Sequence, residues 1–246
     1  MASATPPPLN TVINVTAIQR RVKAMDLDEL LNFLNTRDVI AWPLRFSSIN
    51  LFVVKDFETR HGRSVWPSQL GMYDPIAMFF NINHSVKIYS EADLRRIALG
   101  FIAHDLYQGV LRLAVPEVES EVRFIDTTLG IAGVADLVVG DSVVEIKTGK
   151  KSPKHVLQLA AYLRGLGKSR GFIVYPDEVI EINYGSELER KLIEAVNKLR
   201  NLMNVVSAHD LDSLVKRFRR SYKRFKQRLG ADPKDLVKVL EKEGFI

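Results

Sequence analysis

AGVADLVVGDSVVEIKTG, residues 132–149, sets Asp136, Glu145 and Lys147 inside two runs of valine, leucine and isoleucine. Gly140-Asp141 between two β-branched-rich segments predicts a two-residue hairpin loop. Antiparallel pairing about that loop matches Val139 with Ser142, Val138 with Val143 and Asp136 with Glu145. The two carboxylates become direct cross-strand neighbours, and Lys147 shares the face of Glu145. Like charges opposite each other repel, and the flanks are too apolar for a solvated edge. A divalent cation between them resolves the repulsion, and oxygen donors suit Mg²⁺ or Mn²⁺. A plain Asp136–Lys147 ion pair in an ordinary hairpin is the simpler alternative.

Composition sets the frame. The chain has 246 residues, 46% hydrophobic and 26% charged, which is ordinary for a globular protein long enough to bury a sizeable core. It has no cysteine, which excludes disulfides, thiol catalysis and cysteine-ligated zinc or iron-sulfur clusters. No apolar run reaches membrane-span length, and MASATPPPLN lacks a basic-then-apolar signal pattern, so a cytoplasmic protein with no membrane partner is expected.

The net charge of +6 is unevenly placed. Residues 207–246 hold eleven Lys or Arg against six Asp or Glu, and KRFRRSYKRFKQR, residues 216–228, holds eight bases and no acid. Phe218, Tyr222 and Phe225 fall at helical spacing, so they read as a buried stripe under a basic face suited to a phosphate backbone.

Local signals place the other elements. Residues 1–10 read as a disordered Pro-rich lead, and Asp26 caps a helix over 27–35. The stretch 38–89 mixes short apolar runs with turn residues and gives no clear elements. A long amphipathic helix starts after Ser90, a strand covers 118–125, and Ser152-Pro153 opens a helix to about Gly165. RGFIVYP reads as a buried strand, followed by helices over 187–204, 210–229 and 233–243. On the first long helix His104 looks inward from the apolar stripe; on the second, Gln158 and Tyr162 share a face. Spacing gives no partner to His61, His84, His155 or His209, although His155 lies one turn before Gln158.

In order, Gly100-x-x-x-His104, Gly133-x-x-Asp136, Glu145-Ile146-Lys147-Thr-Gly149 and Gln158-x-x-x-Tyr162 resemble the motif series of the PD-(D/E)xK nuclease superfamily, in its RecB-like exonuclease branch. The resemblance covers residues 95–183. It implies an α/β, restriction-endonuclease-like fold: a central mixed β-sheet flanked by helices, here with a basic helical C-terminal extension. The chain then divides into the lead 1–10, an N-terminal α/β segment 11–89, a nuclease core 90–205 and the extension 206–246.

By the same resemblance His104, Asp136, Glu145 and the Ile146 carbonyl hold Mg²⁺ or Mn²⁺, and one histidine among oxygens favours Mn²⁺. Lys147 orients the attacking water, while Gln158 and Tyr162 position Lys147 and the scissile phosphate. Branch members that carry an iron-sulfur cluster use four cysteines, and this chain has none, so no cluster is expected. The implied activity is hydrolysis of DNA phosphodiester bonds, as an exonuclease on single strands or ends. Lys150, Lys151, Arg219, Arg220 and Lys223 are the expected phosphate contacts, and a second copy of the chain or a DNA-repair or defence protein is an admissible partner. The alternatives are an inactive nuclease-fold binding module and a restriction-like or junction-resolving endonuclease.

Overall fold

The computed structural model describes residues 15–55, 64–71, 73–115 and 117–246. The Pro-rich lead and His61 lie outside the described residues. Contacts within the chain divide it into two compact units, each assembled from three stretches of sequence. No helix among the described residues is long and apolar enough to cross a membrane.

The first unit comprises the chain up to Met25, Val65–Gly71 and Ile97–Ala195. It contains α1 (Val15–Ala24) and the greater part of α4 (Glu91–Ala114). Its centre is a five-stranded mixed sheet ordered β4 (Glu119–Asp126), β5 (Ile131–Val139), β6 (Ser142–Ile146), β7 (Arg170–Val174), β8 (Val179–Asn183). All neighbours are antiparallel except β6 and β7. That parallel pair needs a crossover, which α5 (Pro153–Leu166) supplies. This is the mixed sheet flanked by helices that the sequence predicts.

Local chemistry accounts for these boundaries. Ser90 and Asp93 bond each other's backbone amides at the start of α4, a reciprocal cap on the helix expected after Ser90. Pro153 occupies the first turn of α5, where a missing N–H is harmless, and Gly167 ends it in the left-handed conformation. The apolar side of α5 packs across β4–β7, burying Leu159, Ala160, Ala161 and Leu163. Gly165 is dictated by that packing, because a Cβ there would stand 2.0 Å from the Phe124 ring. Gly133 is equally constrained: its Cβ would lie 2.9 Å from Pro67.

The second unit comprises Asp26–Ser64, Met72–Arg96 and Val196–Ile246. Here α2 (Leu27–Asn35) starts in a reciprocal Asp26–Glu29 capping box. The stretch with no clear elements in the sequence resolves into β1 (Ala41–Phe46), β2 (Ile49–Lys55), α3 (Pro75–His84) and β3 (Val86–Ser90). The three strands form an antiparallel sheet in the order β1-β2-β3. Pro43 is tolerated because β1 is an edge strand. The remaining elements are the C-terminal part of α6 (Ser186–Ser207), then α7 (Leu211–Arg217), α8 (Arg219–Leu229) and α9 (Pro233–Lys242).

The single helix expected over 210–229 is two, parted at Phe218 with φ −117° and ψ 51°. Neither proline nor glycine causes the break. The Phe218 amide still donates to Leu214 O at 2.7 Å, and Tyr222 N to Phe218 O at 3.0 Å, while the ring packs on the unit's apolar core. Tertiary packing thus overrides a continuous helical pattern. Beyond the break Phe225 is fully buried and stacks on Phe80 at 5.4 Å between ring centroids.

Candidate active site

The quoted hairpin forms with the predicted register, Val139 opposite Ser142, Val138 opposite Val143 and Leu137 opposite Val144, but the ladder ends there. Gly140 alone of the two loop residues has positive φ, 54°, as a Gly-X loop requires. Past Leu137 β5 and β6 part, while β6 stays paired with β7 along its whole length and Lys147 N donates to Val174 O at 2.8 Å. Asp136 and Glu145 are therefore not a ladder pair, which corrects the sequence reading. The Ile146 amide that loses its strand partner donates to Asp136 Oδ2 at 2.7 Å, so the carboxylate fills the gap where the strands split. On its other edge β5 has no ladder partner at Asp136 either, because Glu121 interrupts β4 there with φ 55°.

Burial makes this arrangement costly. The Glu145 side chain is 1% exposed and its Oε2 has no hydrogen-bond partner. Burial drives its pKa far above the ordinary carboxylate range, and the neighbouring Asp136 carboxylate adds to the rise. The Asp136 pKa is raised too, again by burial first, against the lowering pull of the Ile146 amide and Lys147. Glu121 adds to that rise in Asp136. Glu145 Oε1 is ion-paired with Lys147 Nζ. The ion pair expected as the simpler alternative thus exists with Glu145 as its acid, and it leaves the other Glu145 oxygen unsatisfied.

The two long helices complete the cluster. Lys147 Nζ also donates to Gln158 Oε1 at 2.9 Å, and Gln158 Nε2 donates to the Tyr162 hydroxyl at 2.9 Å. A continuous chain of polar contacts thereby runs Glu145–Lys147–Gln158–Tyr162, the last two on one face of α5. Burial and the nearby Glu145 push the Tyr162 pKa up, so its phenol keeps its proton.

From α4, His104 Nε2 lies 3.1 Å from Ile146 O and Nδ1 lies 3.4 Å from Asp136 Oδ1. Burial holds the His104 pKa below its ordinary value despite the pull of Glu145, so the ring is neutral. A carbonyl can only accept, so the proton sits on Nε2, and the Nδ1 lone pair faces a carboxylate oxygen. Two acceptors thus face each other. Gln108, one turn further along α4, approaches Asp136 O at 3.5 Å.

These groups fit a hard divalent cation in part. The orphaned Glu145 Oε2, Asp136 Oδ1 and the His104 Nδ1 lone pair are unspent donors in one neighbourhood. Among the described residues, however, no three His, Asp or Glu side chains converge into a finished cage. A partial protein shell suits Mg²⁺, which keeps several of its waters.

Beside the acids lies a cavity of about 460 Å³, whose lining includes His104, Ile146 and Lys147 together with Lys150, Lys151 and His155. Lys151 is engaged with Glu178 at 2.6 Å and Asp177 at 3.6 Å. Sequence reasoning gave His155 no partner; its Nδ1 lies 2.8 Å from the Tyr175 hydroxyl. The three-residue spacing to Gln158 was the available signal. Arg219, Arg220 and Lys223 belong to the second unit, where all three are exposed on α8.

No protein-family model matches the chain. Among solved structures it resembles SSO0001 with a TM-score of 0.48 and 19% identity, over 74% of this chain and 87% of that one. It also resembles an alkaline exonuclease, LHK-Exo, from Laribacter hongkongensis, with a TM-score of 0.37 and 16% identity, over 59% of this chain and 90% of that one. For LHK-Exo in complex with dAMP the values are 0.44 and 19%, over 63% and 92%. These are partial likenesses in the course of the chain.

Proposed function

We propose that the chain is a metal-dependent nuclease of the PD-(D/E)xK type, in the RecB-like branch, that hydrolyses DNA phosphodiester bonds in single strands or at ends. The observation that carries this is a fully buried carboxylate, Glu145, with one oxygen unpartnered beside a second carboxylate. A purely structural role gives no reason to leave that oxygen bare, since a buried polar atom without a hydrogen bond costs about 1–3 kcal/mol. Glu145, Asp136 and the free nitrogen of His104 would hold Mg²⁺ or Mn²⁺, with the second lone pair of the Ile146 carbonyl as a further donor. A bound divalent cation would lower the pKa of a coordinated water and neutralise charge on the phosphoryl oxygens.

The protein's own groups have definite tasks in this reading. Lys147, held between Glu145 and Gln158, presents its ammonium to the attacking water and to a phosphate oxygen. Gln158 is itself fixed by Tyr162, so the lysine cannot swing freely. Water attacks phosphorus, the bond to the leaving oxygen breaks, and the strand is released as two ends. Lys150 and Lys151 would meet phosphates beside the cut, and Arg219, Arg220 and Lys223 would meet phosphates elsewhere on the strand.

The test is incubation of labelled linear single-stranded, linear double-stranded and circular single-stranded DNA with Mn²⁺, Mg²⁺ or EDTA. Cleavage of linear DNA with either ion, absent in EDTA, is expected, and sparing of the circle marks an enzyme that needs ends. Binding without cleavage under every condition refutes the nuclease reading.

A further inference from the structure

The cavity beside the acid pair extends to groups that the hydrolytic step does not use. We propose that it seats a second phosphate of the strand being cut, next to the scissile one, with His155 Nε2–H as its uncharged hydrogen-bond donor and the Lys150 and Lys154 ammonium groups as its counter-charges. The inference rests on the nuclease reading and extends it to a substrate contact.

His155 is 7% exposed and lines the cavity, yet among the described residues only its Nδ1 takes a hydrogen bond, with the Tyr175 hydroxyl. Tyr175 is itself buried, and its hydroxyl can donate its proton to Nδ1. In the proposed seat Tyr175 O–H donates to Nδ1, which leaves Nε2 carrying the hydrogen. Burial, then Lys147 and Lys154, push the His155 pKa down to about 4, so the ring donates without adding charge.

The surroundings suit an anion. Lys150 and Lys154 line the same cavity, and neither has an ion-pair partner among the described residues. The start of α5 adds the positive end of a 14-residue helix whose cap residue, Ser152, makes no side-chain capping bond. Lys147 and Ile146 line the cavity as well, so an anion seated there lies alongside the proposed scissile position. A nucleic-acid strand presents its phosphates at regular intervals, which makes a neighbouring phosphate the anion of matching chemistry.

Calorimetric titration of the intact protein with thymidine 3′,5′-bisphosphate in EDTA, with thymidine as control, tests the seat without any cleavage. The wild type should bind the bisphosphate and not thymidine. His155→Phe should weaken it roughly tenfold, as expected for loss of a hydrogen bond to a charged group. His155→Gln, which keeps an N–H, should stay within about threefold of wild type. Tyr175 acts as a positioning residue: Tyr175→Phe should shift the His155 imidazole ¹⁵N resonances towards a tautomer mixture.

On cleavable DNA, a methylphosphonate at the linkage next to the cut should raise KM for the wild type and leave kcat unchanged. His155→Phe should start from a raised KM and respond less, since only Lys150 and Lys154 still meet the phosphate. Wild-type affinity for the bisphosphate in His155→Phe, or an equal KM response in both proteins, overturns the seat while the nuclease reading stands. His155-dependent binding in a protein that cuts no DNA supports the seat and overturns the nuclease.

Discussion

The two units of this chain treat charge in opposite ways. The second unit keeps its core apolar, from Leu44, Leu51 and Val53 on the sheet to Phe225, Leu229 and Leu236 on the helices, and leaves the cations of α8 outside. The first unit drives two acids and a lysine into the place where two strands part. In the second unit the cations of α8 are a surface property that could be changed with little effect on folding, although Ser221 is buried there and bonds Asp74; in the first unit charge is built into the sheet and must lower stability where it is unsatisfied. A stability cost without a structural return marks the site in the first unit.

The largest effect that could break this contrast is at Glu145. Glu145→Gln should reduce cleavage by at least about a thousandfold, since it removes a charge on which metal binding depends. The same change should leave the metal-free protein as stable or more so at pH 8, because it removes a buried carboxylate with a bare oxygen. Denaturant melts of the metal-free protein measure the second half. A marked loss of stability there would mean that Glu145 is a structural residue.

In the second unit the order reverses. Phe225→Ala should cost about 3–5 kcal/mol, because it empties a fully buried ring site stacked on Phe80. Urea titration reads this directly. A cost below about 1 kcal/mol, which is the range of surface changes, would show that this core is not where the unit's stability resides.

The acid pair also gives the first unit a pH dependence of its own. Both carboxyl groups have raised folded-state pKa values, so their stability contribution is fully present below the ordinary carboxylate range. It is lost as pH climbs through the raised values, because the folded state must then give up protons it holds more tightly than the unfolded chain. The metal-free protein should therefore melt lower at pH 8 than at pH 5.5. Mn²⁺ should raise the melting temperature more at pH 8, where fewer protons need to be displaced, than at pH 5.5. An equal metal effect at both pH values would place the ion elsewhere.

How far the sequence could be read follows the same division. The first unit was legible because its hairpin, the Ser152-Pro153 start of α5 and its inward polar residues are local signals. Where the reading failed, at Asp136 and Glu145, β5 leaves β6 while β6 stays paired with β7 along its whole length, and no alternation of residues records where the two strands part. His155 stayed unread because its partner Tyr175 comes from the far side of a helix and a strand. The stretch 38–89 gave no clear elements because its strands are short, one carries Pro43, and their apolar residues are explained only by helices more than a hundred residues later. The break at Phe218 has the same origin, since the helical pattern through it is uninterrupted and only core packing tells the two helices apart.

The smallest effect on folding should come from the exposed cations, and it completes the contrast. Arg219, Arg220 and Lys223 lie on α8 opposite the stripe of Ser221, Phe225 and Leu229 and have no ion-pair partner among the described residues. Replacing all three with alanine should change stability by no more than about 0.5 kcal/mol. If each meets a phosphate of a single strand, the slope of log affinity against log salt should fall by about 2, at roughly 0.7 per contact, and by the same amount for every DNA sequence. The three side chains face solvent and satisfy nothing within the fold, so any change in slope reports contact with the strand and not a repacked core. An unchanged slope with unchanged stability would make α8 a solubilising face, and the electrostatic case for nucleic acid would then rest on the first unit alone.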